Sequence, residues 1–222
     1  LVETSRGCWW GQKHHCTFCG LNGGSLGFRA KSPQRALAEI RHLRDRYGNP
    51  PLLAADNTPA LDHLRTVLPE LARDPQRITL FYEVKANLGY EQMRVLRDAG
   101  VTWIQPGIES FHDEPLKLMG KGTTSWINMQ LMKWARELGI TLSWNYLCGL
   151  PGERDEWYGE VADWLPAIEH LQPCKELRPI RYDRFSPYQA EPGRYGLKIQ
   201  PNWAYHHIFP LPPEKLARLV YI

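Results

Sequence analysis

The chain has 222 residues, of which 43% are hydrophobic and 23% are charged, and its formal net charge is +3. This balance is typical of one globular domain with a sizeable core. The small net charge and the lack of a basic run do not indicate nucleic acid as a partner, and no apolar stretch approaches the ~20 residues that span a membrane. The five cysteines, an odd number, do not resemble a secreted disulfide framework and favour a cytoplasmic protein.

Short apolar segments alternate with amphipathic helical segments along the chain. The predicted strands are residues 2–6, 51–54, 78–84, 102–105, 141–147 and 178–185. Helix starts are predicted at Ser32-Pro33 and Thr58-Pro59, and Pro69 is expected to kink or end the second helix. This alternation predicts an α/β fold of parallel βαβ units, a partial (β/α)6 barrel similar to a TIM barrel. Sites in such barrels lie at the carboxyl ends of the strands.

The chain is predicted to contain one core and part of a second region. Residues 1–186 are expected to form the barrel, and the proline-rich residues 187–222 are expected to be a linker and the start of a C-terminal extension. The first residues resemble a strand already under way, and the last residues resemble a helix without a stop signal. We therefore expect the chain to be the middle of a longer protein.

Three cysteines directly follow the first predicted strand, where a site is expected: Cys8, Cys16 and Cys19. Thiolates at this density are ligands for an iron–sulfur cluster or for zinc. Three cysteines without a fourth nearby would leave one iron of a cubane open to an outside ligand. The alternative is a structural zinc site completed by His14 or His15. Phe18 and the glycines Gly20, Gly23 and Gly24 favour the cluster, because glycine lets the backbone approach a bulky cofactor.

The two segments 5–11 and 14–23 resemble the radical S-adenosylmethionine (SAM) superfamily, and the resemblance covers nearly the whole chain. The usual triad of that superfamily is Cys-x3-Cys-x2-Cys, with an aromatic residue directly before the last cysteine. The first gap here has seven residues, which is typical of the cobalamin-associated radical SAM enzymes that mature ribosomally synthesised peptides (RiPPs). Residues 181–188 also resemble this branch. The resemblance implies that the three cysteines bind a 4Fe-4S cluster.

The resemblance also implies contacts with SAM at the ends of the predicted strands. Lys121 matches a basic position that pairs with the methionine carboxylate, and Glu109 would accept hydrogen bonds from the ribose hydroxyls. Asp56 and Asn57 replace glycines in a segment that contacts the methionine amino group. The implied cofactor-binding residues are Phe18, Asp56, Asn57, Lys85, Glu109, Lys121 and Asn145. No catalytic residue is predicted.

The function implied by the resemblance is reductive cleavage of SAM at the cluster, followed by C-methylation of a precursor peptide with cobalamin as the methyl carrier. The cobalamin would be bound mainly by an N-terminal domain outside the chain. A flavodoxin or ferredoxin is expected as electron donor. Two alternatives stay open: cobalamin-independent radical epimerisation, oxidation or crosslinking of a peptide or small molecule, and a zinc-stabilised binding module.

Overall fold

The computed structural model describes residues 1–21, 27–200 and 202–219, so the predicted roles of Gly23 and Gly24 lie outside it. The strands are β1 (Ser5–Arg6), β2 (Arg29–Ala30), β3 (Leu52–Leu53), β4 (Leu80–Val84), β5 (Val101–Pro106), β6 (Thr141–Leu142), β7 (Asn145–Cys148) and β8 (Glu176–Pro179). The α-helices are α1 (Pro33–Arg46), α2 (Val67–Arg73), α3 (Tyr90–Asp98), α4 (Asp113–Leu118), α5 (Ser125–Glu137), α6 (Glu156–Trp164), α7 (Pro187–Ala190), α8 (Tyr205–Ile208) and α9 (Pro213–Leu219), and 3₁₀ turns cover Leu165–Ile168 and Pro192–Tyr195.

Parallel strands form the centre of the fold. The order β3-β4-β5-β6 makes one parallel sheet, and β7 pairs in parallel with β8. Single parallel bridges extend these sheets, one joining Val2 to Ala54 and another joining Glu109 to Tyr146. β1 also pairs antiparallel with β2. The predicted α/β fold, a partial barrel of parallel strands, is therefore confirmed.

The two faces of the strands have different roles. In β4, Leu80, Tyr82 and Val84 are buried, whereas Phe81 and Glu83 are only partly buried. The buried set joins the main hydrophobic core together with helical residues such as Ile40 of α1, Met93 of α3 and Leu131 of α5. The core therefore lies between the strands and the helices. The opposite face of the strands is left free to line a site.

The second helix begins later than the sequence predicts. Thr58 is not an N-cap: its hydroxyl accepts a hydrogen bond from Trp9 Nε1 at 3.1 Å, and its carbonyl accepts one from Ser5 Oγ at 2.8 Å. The helix starts at Val67, and Pro69 lies in its first turn. The backbone nitrogen of a first-turn residue needs no helical acceptor, so Pro69 neither kinks nor ends the helix. The Ser32 cap is confirmed, because its side chain accepts from Arg35 N.

All six predicted strands have different bounds in the structure, and three of them differ by more than two residues at one end or are broken. In the first, only Ser5–Arg6 is strand. The fifth is broken, because Ser143 N donates to Ile104 O on β5 whereas Trp144 O accepts from Lys175 N just before β8, so the chain changes neighbours there. The sixth is Glu176–Pro179. Residues 180–183, predicted to continue it, have no regular secondary structure, and a turn follows with φ of 72° at Phe185.

Beyond residue 186 the chain continues to pack, in a second hydrophobic cluster that is separate from the main core. Tyr188 is buried against Leu116, Met119 and Leu147, and its backbone N–H donates to Thr17 O at 3.0 Å. The domain boundary after residue 186 stays a prediction. Within the described ranges, no helix is both long enough and apolar enough to cross a membrane.

Candidate active site

A cavity of about 340 Å³ lies at the carboxyl ends of β4, β5 and β7, a size suited to a small-molecule ligand. This is the position that the barrel rule predicts. All the predicted site residues except Asp56 line it: Cys8, Cys16, Phe18, Cys19, Asn57, Lys85, Glu109, Lys121 and Asn145. Residues far apart in sequence therefore meet in one place.

The loop that carries the cysteines is held against the turn that follows α4. Trp10 Nε1 donates to Gly120 O at 3.2 Å, and Thr17 donates from its N–H to Met119 O at 3.0 Å and from its hydroxyl to Leu118 O at 3.1 Å. Gly122 fits this contact closely, since a Cβ added there would stand 2.0 Å from the Trp10 ring. The positions of the thiols thus depend on packing between residues about a hundred positions apart.

The three cysteines are partly buried, and Cys16 and Cys19 face positive charge. Burial raises the pKa of Cys16, and it raises the pKa of Cys19 to about 11. The ammonium groups of Lys121 and Lys85 act in the opposite direction on Cys16. These cations would compensate the charge that develops when the thiols bind iron as thiolates.

The donor set fits an iron–sulfur cluster better than a zinc ion. Among the described residues, no three His, Cys, Asp or Glu side chains converge as ligands of one metal ion, and the three thiols are distributed around one cavity. His15 Nε2 instead lies 2.7 Å from Cys19 O, and the His14 ring packs against Trp10 with centroids 4.8 Å apart. Neither histidine lines the cavity. Cys148, on β7, does not line it either, so the thiolate set has three members, as expected for a cubane with one open iron.

A buried ion pair crosses the cavity wall. Lys121 Nζ lies 2.8 Å from Glu109 Oε1, and the two side chains are only 13% and 16% exposed. Burial alone would lower the pKa of Lys121, but Glu109 and the thiols outweigh it and raise that pKa above its usual value. Glu109 has a left-handed φ of 61°, which is unusual outside glycine and typical of strained functional positions. Gly107 leaves room for the pair, because a Cβ there would stand 2.6 Å from Lys121 Nζ.

Lys85 lies beside this pair and packs against aromatic rings. Its ammonium donates to Lys121 O at 2.8 Å and lies 4.1 Å from the centre of the Trp10 ring and 5.9 Å from that of Trp9. Burial and, after it, the charge of Lys121 lower the pKa of Lys85 to about 8. The cavity therefore has a cationic side built from two lysines.

Asp56 is not brought into the cavity. It is 1% exposed, and its carboxylate accepts from Thr4 N at 2.7 Å, from Thr4 Oγ1 at 2.5 Å and from Ser5 Oγ at 2.8 Å. Burial raises its pKa although these hydrogen bonds oppose the shift. Both oxygens are thus used to hold the segment that leads to Cys8.

Several cavity residues were not assigned a role from the sequence: Glu83, Gln105, Arg178, Arg181 and Asp183. A signal for the first was present, since Glu83 is the polar position in the alternating pattern of β4. The contribution of Gln105 depends on strand register, which a single sequence does not give.

The fold and the cavity define a class of enzyme core in which strand-end residues surround a three-cysteine loop. The profile of the Radical SAM superfamily matches residues 2–165, so the chain belongs to this superfamily. Its members use a 4Fe-4S cluster and SAM.

Curated relatives include methylating enzymes. The chain is 26% identical over 163 residues to an uncharacterised methyltransferase of Pyrococcus horikoshii, a match that covers 70% of this chain and 34% of the relative. It is 23% identical over 176 residues to the hopanoid C-3 methylase of Methylococcus capsulatus, a match that covers 77% of this chain and 32% of the methylase. The chain thus spans about a third of the length of these relatives.

Solved structures with the same fold include cobalamin-dependent enzymes. The chain superposes on the radical SAM methyltransferase TsrM from Kitasatospora setae with a TM-score of 0.75 at 20% identity, covering 91% of this chain and 41% of TsrM. It superposes on the cobalamin-dependent radical SAM enzyme OxsB with a TM-score of 0.65 at 20% identity, covering 90% of this chain and 37% of OxsB. TsrM has also been solved with cobalamin and a 4Fe-4S cluster bound. At these identities the likeness shows the fold.

Proposed function

We propose that this chain is the core of an enzyme that reductively cleaves SAM at a 4Fe-4S cluster and methylates a carbon of a ribosomally synthesised peptide. Cobalamin would carry the methyl group and be bound mainly by a domain outside the chain. The observation that carries the proposal is the convergence of the cysteine loop and the Glu109–Lys121 pair in one cavity at the strand ends.

The residues of the cavity fit the two groups that such an enzyme binds. When bound, the cluster and SAM supply one-electron cleavage of a carbon–sulfur bond and abstraction of a hydrogen atom. The three thiolates hold the iron. Lys121 donates to the carboxylate of SAM and Glu109 accepts from the ribose hydroxyls, contacts in which one partner is charged and which are therefore strong. The rings of Phe18 and Trp10 line the same cavity as the thiols and supply its apolar wall.

Methylation of a peptide is supported by two further observations. The hopanoid C-3 methylase and the uncharacterised methyltransferase are both named for methyl transfer, and TsrM and OxsB are cobalamin-associated. The peptide substrate rests on the resemblance to RiPP-maturing enzymes, in the seven-residue gap before Cys16 and in residues 181–188. The partners in this proposal are the precursor peptide and a cytoplasmic flavodoxin or ferredoxin that reduces the cluster.

In the test, the complete protein is expressed with cobalamin and with the precursor peptide that is encoded beside its gene. The mass of the peptide is then measured. We expect a gain of one CH2 group per event. Cys8→Ala, Cys16→Ala and Cys19→Ala variants should lose both iron and product, whereas Cys148→Ala, a cysteine outside the cavity, should keep both. An unchanged mass with an inverted stereocentre, or loss of a hydrogen pair, would replace methylation by another radical reaction. Undiminished iron in Cys8→Ala would contradict the long-gap ligand set.

A further inference from the structure

One carboxylate in the cavity has no use in the cofactor site described above. Glu83, on β4, lines the cavity, and in the described part of the chain no hydrogen bond or ion pair reaches its side chain. Glu109, by contrast, is paired with Lys121. Burial, and then the charge of Glu109, raise the pKa of Glu83. A partly buried carboxylate without a partner costs free energy, so its presence indicates a ligand that donates to it.

Gln105 lies next to Glu83 on the neighbouring strand. The parallel register pairs Glu83 with Gln105, so the two side chains project on the same face, and both line the cavity. Among the described residues no hydrogen bond reaches the Gln105 amide. A carboxylate accepts only, whereas a glutamine amide also donates. An acceptor and a donor thus stand side by side, open to one ligand.

An apolar row lies directly below this polar pair on the same face. Phe81 precedes Glu83 by two residues on β4, and Trp103 precedes Gln105 by two residues on β5. Phe81 pairs with Trp103, and on its other side it pairs with Leu53 of β3. The Phe81 and Trp103 rings have centroids 4.4 Å apart, and Leu53 and Trp103 are each 40% exposed. The face that carries Glu83 and Gln105 therefore continues as an accessible apolar surface.

From this arrangement we infer that Glu83 and Gln105 form the substrate subsite, which binds a neutral amide group of the substrate. The amide N–H donates to the Glu83 carboxylate, the amide carbonyl accepts from the Gln105 side chain, and the adjoining apolar side chain of the substrate packs on Phe81 and Trp103. The identification of the ligand as a peptide segment rests on the proposed function.

Charge and pairing distinguish an amide from an amine at this position. Two lysines and two arginines line the cavity, and in the described part of the chain each of them except Lys85 is paired with a carboxylate: Lys85, Lys121, Arg178 and Arg181. A cationic substrate would meet the charge of Lys85, and it would leave the donor of Gln105 without an acceptor. A peptide group uses both side chains and brings no charge. A few placed polar groups beside an apolar surface are typical of a specific ligand pocket.

The test measures binding of a single-amide probe, N-methyl isocaproamide, to the cluster-loaded, SAM-bound chain by ligand-observed NMR. Its methyl ester, methyl isocaproate, has the same shape but lacks the N–H. We expect the amide to bind about tenfold more tightly than the ester, the value of one hydrogen bond to a charged group. Glu83→Leu should abolish this discrimination, and Glu83→Gln, which keeps an acceptor, should restore part of it.

Controls separate a substrate subsite from a cofactor site and from misfolding. Glu83→Leu, Glu83→Gln and Gln105→Leu should keep the iron content and SAM affinity of the unaltered chain, and Glu91→Gln, a surface carboxylate paired with Arg94, should change none of these quantities. Equal binding of amide and ester to the unaltered chain would overturn the inference. So would a loss of SAM affinity in Glu83→Gln as large as the loss of amide discrimination.

The result of this binding test is independent of the result of the methylation test, because binding of the probe requires no turnover. Amide discrimination that depends on Glu83, together with an unmodified precursor peptide, would leave the subsite standing and remove the peptide methylation. A methylated peptide whose KM is the same in Glu83→Leu and in the unaltered protein would support peptide methylation and contradict the subsite.

Discussion

At the scale of single residues, burial controls the ionisation of Cys19. Because burial raises the pKa of Cys19 to about 11, only about one thiol in a thousand is ionised at pH 8. In the metal-free chain, we expect alkylation of Cys19 by iodoacetamide to be much slower than that of a free thiol and to increase about tenfold per pH unit up to the pKa. Mass spectrometry of the modified peptide measures this. A rate at pH 8 equal to that of a free thiol would contradict it.

Asp56 is a buried polar residue outside the cavity that supports the site through its hydrogen bonds to Thr4 and Ser5. Asp56→Ala removes the acceptor of the buried Thr4 N–H, and we expect a loss of about 1–3 kcal/mol of unfolding free energy. Asp56→Asn keeps an acceptor for that N–H and offers a donor to the hydroxyl oxygens of Thr4 and Ser5, so its loss should be smaller. Urea unfolding of the metal-free chain compares the two. Equal losses in the two variants would show that these hydrogen bonds do not contribute to the free energy of unfolding.

The Glu109–Lys121 pair is expected to serve both stability and binding. Lys121→Met leaves a buried carboxylate unpaired, and should cost about 3–5 kcal/mol of stability and weaken SAM binding about ten- to a hundredfold. Adding Glu109→Gln should recover part of the stability, since no lone charge is left, but not the SAM affinity. Unfolding and SAM titration of the reconstituted protein measure both quantities.

A neighbouring lysine provides the matched control for that pair. Lys117 pairs with Glu114 at 2.6 Å, but both side chains are largely exposed. Lys117→Met should therefore change stability by less than about 1 kcal/mol and leave SAM affinity unaltered. Similar effects of the two lysine substitutions would contradict a special role for Lys121.

At the scale of elements, the site depends on how the cysteine loop packs against the turn after α4. Gly122 and Gly139 have similar left-handed φ values, 64° and 67°, but a Cβ would collide with Trp10 only at Gly122. Gly139→Ala should cost about 1 kcal/mol through backbone strain alone and keep full iron incorporation. Gly122→Ala should cost more and reduce iron incorporation, because Trp10 and the loop must move. Equal iron contents would disprove this coupling.

At the scale of the whole molecule, the core and the site lie on opposite faces of the strands. The main core lies between the strands and the helices, whereas the cysteines line the cavity on the other side. Removing the cluster should therefore leave cooperative unfolding intact. Hydrogen exchange should increase mainly in residues 8–20 and 117–122, which pack against each other. Exchange that increases equally in α1 or α3 would show that the cluster stabilises the entire fold.

From the sequence alone, the class of fold could be predicted, and all but one of the predicted site residues line the cavity. The alternation of strand and helix patterns is local, and so is the spacing of Cys8, Cys16 and Cys19, which is why both are readable in one chain. The resemblance to the radical SAM superfamily, together with the rule that barrel sites lie at strand ends, then gave the expected cofactor-binding residues. The bounds of α2 were misjudged because Thr58 bonds to Trp9 and Ser5, partners that no local pattern reveals.

Which polar side chains reach the cavity depends on tertiary contacts. Asp56 and Asn57 are neighbours in sequence, yet the contacts with Thr4 and Ser5 draw Asp56 out of the cavity while Asn57 lines it. Glu83 and Gln105 come together because the register of β4 and β5 sets them side by side, and a register shift between Leu80 and Phe81 lies in the same pair of strands. Register is a relation between distant segments, and a shift of one residue moves every side chain to the other face of the sheet.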